Sequence, residues 1–380
     1  MRLSIPVSAF VAAIVGFGGT LAIIIAASDA VGATQAQTAS AVTALCLAMA
    51  VESLYLSWRT KMPVISAWST PGAALVAASS GYSIGDAVGA FIITAILLVA
   101  TGLFGPLTRL IARIPASVAS AMLAGIVVTF AINAVKTIPD DPWLILPLIA
   151  AFFVIRLFNP ALSVLAVLVG GGLAAFLTGR VGGLPTPELS TLTLIAPDFS
   201  LSAAISLALP LYLVTMASQN LSGLAVLRAA GYHPAPGPLI AFTGFISLLT
   251  APFGALSSNL AAISAAICTG PDAHPDPAER WKTGPFYALF YLIFAIFGAS
   301  LVAIFAVLPQ SLIVLVAGLA LLSPLVNALA IALKDDSERI AATTTFAVTA
   351  SGVALLGIGS AFWGLLAGLA VLGLELSKKR

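Results

Sequence analysis

The order of hydrophobic and polar positions divides the chain into about fourteen apolar runs, separated by short polar or charged stretches. Most runs are close to the roughly 20 residues that a helix needs to cross a hydrocarbon core about 30 Å thick. The predicted runs cover 6–28, 36–57, 62–80, 84–104, 116–137, 142–157, 160–179, 199–230, 235–249, 250–270, 282–307, 309–333, 338–357 and 360–377. This pattern predicts an all-α, polytopic membrane protein with about fourteen transmembrane segments.

The third and tenth runs depart from the pattern of a continuous helix in the same way. Met62–Ser80 and Leu249–Gly270 each contain a proline, Pro71 and Pro252, beside small residues. Each run is therefore predicted to cross as an extended piece followed by a half-helix of about 11 or 12 residues. Non-helical backbone at membrane depth is tolerated only where protein or a water-filled cavity satisfies its polar groups. Paired broken segments of this kind point to the binding site of a secondary transporter.

Composition supports a membrane protein and excludes several functional classes. Of the 380 residues, 60% are hydrophobic and 8% are charged, whereas soluble domains carry about 25% charged residues. A net charge of +2 gives no indication of nucleic-acid binding. Cys46 and Cys268 lie in apolar stretches, which indicates buried thiols. His233 and His274 fall in loops, so no histidine-based metal site or catalytic pair is expected in the membrane, and neither a cofactor nor an enzyme activity is predicted.

Lysine and arginine placement predicts the orientation of the chain. With the N-terminus in the cytoplasm, 14 of the 16 Lys and Arg residues fall on the cytoplasmic side, and only Lys136 and Arg180 fall outside. This distribution follows the positive-inside rule. The first apolar run is interpreted as an uncleaved span, and both termini are predicted to be cytoplasmic.

The segments divide into two sets of seven near residue 190, which predicts inverted repeats at 1–190 and 191–380 because seven is odd. The broken segments are the third of each set, and Pro71 and Pro252 are offset by 181 residues. The first broken segment is predicted to be extended over Met62–Ser69 and helical from Thr70. The second is predicted to be extended over Thr250–Ser257 and helical from about Ser258. Two positive helix N-termini would then meet near the midplane, which favours an anion.

Polar residues at membrane depth are the candidates for ligand contact. They are Thr70, Ser218, Gln219, Asn220, Ser257, Ser258 and Asn259. Interhelical hydrogen bonding is the alternative role for the Ser218–Asn220 cluster, because buried amides need partners, and helix capping is the alternative for Asn259. Phe17, Trp68 and Phe253 are candidates for an aromatic wall or for ordinary packing.

Glu52 is the clearest ionisable residue within a predicted span. Intramembrane ionisable groups are functional candidates by default, so Glu52 is a candidate for proton coupling. Pairing with Arg59 near the interface is the alternative.

Several longer strings resemble the bacterial benzoate/proton symporter (BenE) family. They are AWSTPGAAL at 67–75, VTMASQNLSGLAVLRAAGY at 214–232, NLAAISAAIC at 259–268 and GIGSAFWGLLAG at 357–368. The resemblance implies a multi-pass protein of the bacterial inner membrane that imports benzoate or a related aromatic carboxylate with a proton. It also implies the seven-plus-seven inverted-repeat fold of nucleobase transporters, often as a homodimer. Segments 1–4 and 8–11 would form a core domain, and segments 5–7 and 12–14 a gate domain.

The resemblance also implies a location for the site. It would lie among Thr70–Ala73, Ser257–Asn259 and Ser218–Asn220, beside Phe17–Thr20 of the first span. The implied substrate contacts include Gly72, the N–H groups of Ala73 and Asn259, and the side chain of Thr20. A different solute on the same fold, such as a nucleobase-like compound or an inorganic anion, and an anion channel remain alternatives.

Overall fold

The computed structural model describes residues 3–18, 20–105, 115–160, 162–181, 183 and 185–378. Its longer helices are α1 Ser4–Gly18, α2 Leu21–Ala30, α3 Gln35–Thr60, α4 Thr70–Ala77, α5 Ile84–Leu103, α6 Ala116–Lys136, α7 Pro142–Phe158, α8 Ser163–Leu177, α9 Leu201–Ala229, α10 Pro236–Thr250, α11 Ile263–Thr269, α12 Thr283–Ile296, α13 Gly298–Ala306, α14 Gln310–Ala332, α15 Arg339–Ala350 and α16 Ser360–Lys378. Two short strands, β1 Ser66–Trp68 and β2 Ser258–Leu260, complete the architecture.

These elements follow the predicted runs along the chain, so the polytopic, all-helical prediction is confirmed. Within the described ranges, seven helices are long and apolar enough to cross a membrane. An eighth span is a pair bent by 60° between Pro277–Ile296 and Gly298–Ala306. The other predicted runs correspond to the two broken segments and to the shorter helices α7, α8, α15 and α16. Five of the cationic residues counted for the predicted orientation lie outside the described residues, namely Arg2, Arg109, Arg113, Lys379 and Arg380.

The two broken segments join each other through an antiparallel ladder. β1 pairs with β2, and the register sets Ala67 opposite Asn259. Beyond the strands, Ser69 N–H donates to the Ser257 carbonyl over 3.0 Å, and Ala261 N–H donates to that of Ile65 over 2.8 Å. The ladder therefore satisfies backbone groups that would otherwise be unpaired inside the membrane.

The first broken segment becomes helical where predicted, whereas the second does not. Both half-helices are shorter than the predicted 11 or 12 residues, with eight residues in α4 and seven in α11. α4 begins at Thr70, as expected. The second helix begins at Ile263 rather than near Ser258, because residues 258–260 form the extended strand β2, which pairs with β1. The predicted extended stretch from Thr250 is also wrong at its start. Ala251–Phe253 form a 3₁₀ turn that continues α10.

Helix α9 is wound irregularly at two places. Residues 204–208 and 215–220 have π-helical hydrogen bonding. Pro210 follows the first π turn, and a proline has no N–H to donate to the preceding turn. The second π turn contains Ser218, Gln219 and Asn220. Such turns widen a helix locally and are frequent at functional sites.

The connection between the two halves lies across the ends of several helices. Ser190 N–H donates to the carbonyl of Ile296 over 3.0 Å, and Ile195 N–H donates to that of Pro252 over 2.8 Å. Asp198 N–H donates to the carbonyl of Gly85 over 2.9 Å. These bonds attach the connection to elements from both halves of the chain.

Candidate functional site

A cavity of about 270 Å³ lies where the two broken segments meet. This volume is close to the lower end of the range for small-molecule sites, about 300 Å³. The broken segments contribute one wall through Ala67, Trp68, Thr70, Pro71, Ala261, Ala262, Ile263 and Ser264. Segments 1, 8 and 11 contribute Val15, Gly16, Thr20, Ala217, Ser218, Gln219, Ser222 and Tyr291.

The opposite wall of the cavity comes from α6 and α14. These helices contribute Ser120, Leu123, Ala320, Ser323, Pro324, Asn327, Ala328 and Ile331. Both helices belong to the predicted gate domain, whereas the first wall belongs to the predicted core domain. The cavity therefore lies between elements from the two predicted domains.

The described lining is polar in places but carries no formal charge. Its polar side chains are Thr20, Thr70, Ser120, Ser218, Gln219, Ser222, Ser264, Tyr291, Ser323 and Asn327. Hydroxyl and amide groups of this kind donate hydrogen bonds to an anion without placing a like charge opposite it. The rest of the lining is apolar or aromatic, which suits an apolar ring.

The start of α4 presents Thr70 to the cavity. Ser69 caps this helix, since its Oγ accepts the Gly72 N–H over 3.2 Å. Ala73 N–H donates to the Ser69 carbonyl over 2.8 Å, so the expectation that it is free to hold a ligand is wrong. Gly72 faces α9 instead, because a Cβ there would lie 2.3 Å from Leu211 Cδ1.

Aromatic residues form one side of the cavity. Trp68 and Tyr291 line it, with ring centroids 6.4 Å apart. Phe17 lies behind them, 5.5 Å from Trp68 and 4.6 Å from Phe294 between centroids. Trp68 Nε1 donates to Thr20 Oγ1 over 2.5 Å, which fixes the indole ring.

The predicted cluster Ser218–Asn220 is divided between the cavity and the ladder. Ser218 and Gln219 line the cavity. Ser218 Oγ donates to the Val214 carbonyl over 2.6 Å. Asn220 is fully buried, and its Oδ1 accepts the Leu260 N–H of β2 over 3.1 Å.

The predicted polar contacts of the second broken segment, Ser257, Ser258 and Asn259, do not line the cavity. Ser257 Oγ shares a hydrogen bond with Thr215 Oγ1 over 3.2 Å. With its amide oriented so that both ends meet complementary groups, Asn259 accepts from Ser69 N–H and donates to the Leu260 carbonyl, each over 3.1 Å. The prediction that Asn259 lies in the first turn of a half-helix is therefore wrong. Its register in the ladder also places its own N–H toward β1 rather than toward a ligand.

Glu52 is buried beside β2. It has no exposed surface, and Ser258 Oγ donates to its Oε1. Its Oε2 has no hydrogen-bond partner among the described residues. Its observed partner is thus Ser258 and not Arg59, the alternative that the sequence left open.

Five of the candidate residues line the cavity, namely Thr20, Trp68, Thr70, Ser218 and Gln219. Phe253 lies on the 3₁₀ turn, where its carbonyl accepts from Ser40 Oγ over 3.0 Å, and it does not line the cavity. Tyr291, Ser323 and Asn327, among others, were not predicted from the sequence, because they lie on strongly apolar helices. The polar pair that flanks Pro324 was the available signal.

Comparison with known proteins agrees with this architecture. A family model described as benzoate membrane transport protein (BenE) matches residues 1–374. The inner membrane protein YdcO of Escherichia coli (strain K12) is 44% identical, covering 97% of this chain and 96% of that protein. The benzoate membrane transport protein of Acinetobacter baylyi is 34% identical, covering 97% of this chain and 94% of the relative.

Solved structures show the fold. The transmembrane domain of the cyanobacterial bicarbonate transporter BicA matches with a TM-score of 0.61 at 14% identity, over 97% of both chains. The murine anion transporter Slc26a9 in its inward-facing state matches with a TM-score of 0.68 at 12% identity, over all of this chain and 69% of the other. The chain thus has the seven-plus-seven inverted-repeat fold of these transporters. It is a multi-pass membrane transporter that belongs to the benzoate membrane transport protein (BenE) family.

Proposed function

We propose that this transporter imports benzoate or a related small aromatic carboxylate by proton symport. The observation that carries the proposal is a cavity at the junction of the broken segments whose described lining is uncharged. A carboxylate there meets hydroxyl and amide donors and no opposing carboxylate, while its ring meets apolar and aromatic side chains. The name of the Acinetobacter baylyi relative supports the same substrate class.

In the proposed binding mode, the carboxylate lies at the start of α4. Thr70 and Gln219 line the cavity there. Neither side chain forms a hydrogen bond with another described residue, so both can donate to a ligand. The N-terminal end of α4 carries a partial positive charge that favours an anion. The aromatic ring lies against Trp68 and Tyr291. The ring of Phe17 and the hydroxyl of Thr20 hold Trp68 in place.

Glu52 is the proposed proton carrier. A carboxylate without a cationic partner is costly to bury, and none of the ion pairs among the described residues includes Glu52, whose Oε1 accepts from the Ser258 hydroxyl. Ser258 belongs to β2, whose ladder with β1 continues directly into the start of α4. Protonation of Glu52 thus acts on the strand that supports the proposed binding site.

Transport is proposed to come from movement of the core domain against the gate domain. The cavity lies between elements of these two predicted domains, which supports this mechanism. Its lining includes Ser120 near the start of α6, Ser222 late in α9 and Ile331 near the end of α14. In the predicted orientation, all three positions lie toward the cytoplasm. This arrangement supports an inward-facing state.

The test is uptake by purified protein in liposomes with an imposed proton gradient, acid outside. We expect labelled benzoate to accumulate and unlabelled benzoate to compete with it. An absence of gradient-dependent accumulation would contradict the proposal.

An inorganic anion is the second candidate substrate. It is favoured by the fold, because the structural neighbours are described as a bicarbonate transporter and an anion transporter. Bicarbonate or chloride that competes with benzoate uptake at equal concentration would favour it. A conductance that does not depend on which anion is supplied would indicate a channel instead.

A further inference from the structure

Arg156 lies behind the gate-side wall of the cavity. It is near the C-terminal end of α7, and its Nη1 donates to Ser323 Oγ of α14 over 2.9 Å. Ser323 lines the cavity. A cationic side chain is thus one hydrogen bond away from a cavity whose described lining carries no charge.

The charge of Arg156 is not neutralised by a carboxylate among the described residues. The ion pairs found there join Arg180 with Asp141, Lys282 with Glu279 and Arg339 with Asp336. The other described neighbour of the Arg156 guanidinium is the ring of Phe152, 5.7 Å away between centroid and Cζ. A positive charge without a counter-ion raises the electrostatic potential of a low-dielectric site beside it.

The position of the Arg156 side chain is not explained by extension of its charged group toward the membrane surface. An arginine near a helix end can direct its charged group into the interfacial water or toward the last carbonyls of its own helix. Arg156 is half-buried and donates instead to a hydroxyl on a different helix. That contact holds the guanidinium toward the cavity.

Ser323 links Arg156 to the cavity because its hydroxyl proton remains available to donate to a ligand. Its oxygen accepts from Arg156, and no described protein group accepts the Ser323 proton. A hydroxyl that accepts from a cation becomes a stronger donor, since linked hydrogen bonds polarise one another. The best acceptor for such a donor is an anionic oxygen in the cavity.

We propose that Arg156, acting through Ser323, selects carboxylates over uncharged compounds of the same shape. The inference rests on the proposed function, because it takes an aromatic carboxylate as the ligand. It places charge selection on the gate domain, opposite the ring-binding wall formed by Trp68 and Tyr291. Arg156 is a positioning residue, and Ser323 is the group that contacts the ligand.

The experiment compares benzoate with benzamide, its uncharged analogue, by competition against labelled benzoate on the purified full-length protein. Arg156→Gln is expected to lower the benzoate-to-benzamide affinity ratio about tenfold, because one charge-assisted hydrogen bond is lost. Ser323→Ala is expected to lower the ratio in the same direction, and Arg156→Lys to restore part of it. Arg180→Gln is the matched control, because Arg180 pairs with Asp141 and does not line the cavity. Its ratio should equal that of the wild type.

The outcomes separate this inference from the proposed function. Wild-type protein without saturable benzoate binding overturns both. Wild-type binding with an unchanged ratio in Arg156→Gln and Ser323→Ala overturns the charge-selecting role alone. Equal weakening of both ligands also overturns it, because a purely structural role moves the two affinities together. If Arg156→Gln does not fold, Ser323→Ala and Arg156→Lys decide the question.

Discussion

The two broken segments occupy corresponding positions in the two halves, yet they differ in structure and in the side chains that they direct toward the cavity. In the first segment the extended stretch ends at Trp68, and an eight-residue helix capped by Ser69 begins at once. In the second segment the strand runs to Leu260, and a seven-residue helix without a side-chain cap begins at Ile263. The first turn of α4 presents Thr70 to the cavity, whereas Ser258 and Asn259 face the protein interior.

This difference shows that a repeated topology does not imply a repeated chemical role. The first segment supplies a polar side chain and the indole of Trp68 to the proposed ligand. The second supplies mainly the turn from Ala261 to Ser264 and connects the ladder to Glu52 through Ser258. In the proposed mechanism, substrate contact thus belongs chiefly to one segment and the proton to the other.

The largest effect is expected from Glu52→Gln, which removes the proposed proton carrier beside the second segment. The variant should lose gradient-driven accumulation of benzoate and retain binding, because glutamine keeps the shape and the bond from Ser258 without taking up a proton. Liposome uptake and binding by the same preparation provide the measurement. Glu279→Gln, in the loop where Glu279 pairs with Lys282, is the control. Normal accumulation by Glu52→Gln would assign the proton to another group.

A smaller effect is expected at Asn220, which supports the second segment from α9. Asn220→Ala leaves the Leu260 N–H unpaired at membrane depth, a cost of about 1–3 kcal/mol. The thermal unfolding temperature of the purified protein should fall. Gln219→Ala, one residue earlier, should leave that temperature unchanged and weaken benzoate binding. The opposite pattern would mean that the two amides have exchanged roles.

Thr70→Val tests the contribution of the first segment. The substitution keeps the size of the side chain and removes its hydroxyl, so benzoate affinity should fall about tenfold. Ser264→Ala is the counterpart on the second segment. Its effect should be smaller, because Ser264 Oγ already donates to the Ala12 carbonyl over 3.2 Å. If titration calorimetry shows equal losses of benzoate affinity in Thr70→Val and Ser264→Ala, the two segments do not differ in substrate contact as proposed.

The smallest effect is expected at Ser218, which lines the cavity between the two segments. Its one hydroxyl proton is donated to the Val214 carbonyl, so it has none for a carboxylate. Ser218→Ala should change benzoate affinity by less than about 0.5 kcal/mol, measured by the same calorimetry. A loss as large as that in Thr70→Val would show that Ser218 turns toward the ligand.

The sequence predicted the segments and the first break because their signals are local. Apolar run length, proline position and the Ser69–Pro71 helix start all act within a few residues. The second break was misjudged because Ser258–Leu260 become a strand only by pairing with residues in the other half. Strand pairing of this kind depends on non-local contacts, so no nearby residue indicates it.

The candidate site was predicted on one wall only. Thr20, Thr70, Ser218 and Gln219 were found because they are polar residues within or beside the motifs. The polar groups of the opposite wall, Ser120, Ser323 and Asn327, are isolated in the apolar helices α6 and α14. Polarity alone does not distinguish a residue that lines a cavity from one that forms a helix contact. Asn259 was assigned to the ligand, and the structure assigns its side chain to the ladder.

The ladder between β1 and β2 also constrains the order in which the chain matures. Its partners are separated by roughly 190 residues, and ribosomes add about 5–20 residues per second. Residues 66–68 thus wait on the order of tens of seconds before their partner strand is made. During that interval their backbone groups remain without the ladder, and the first half depends on the translocation machinery or on water to shield them. We expect a chain truncated before Ser258 to be cut by protease near residues 66–68, whereas the full chain resists.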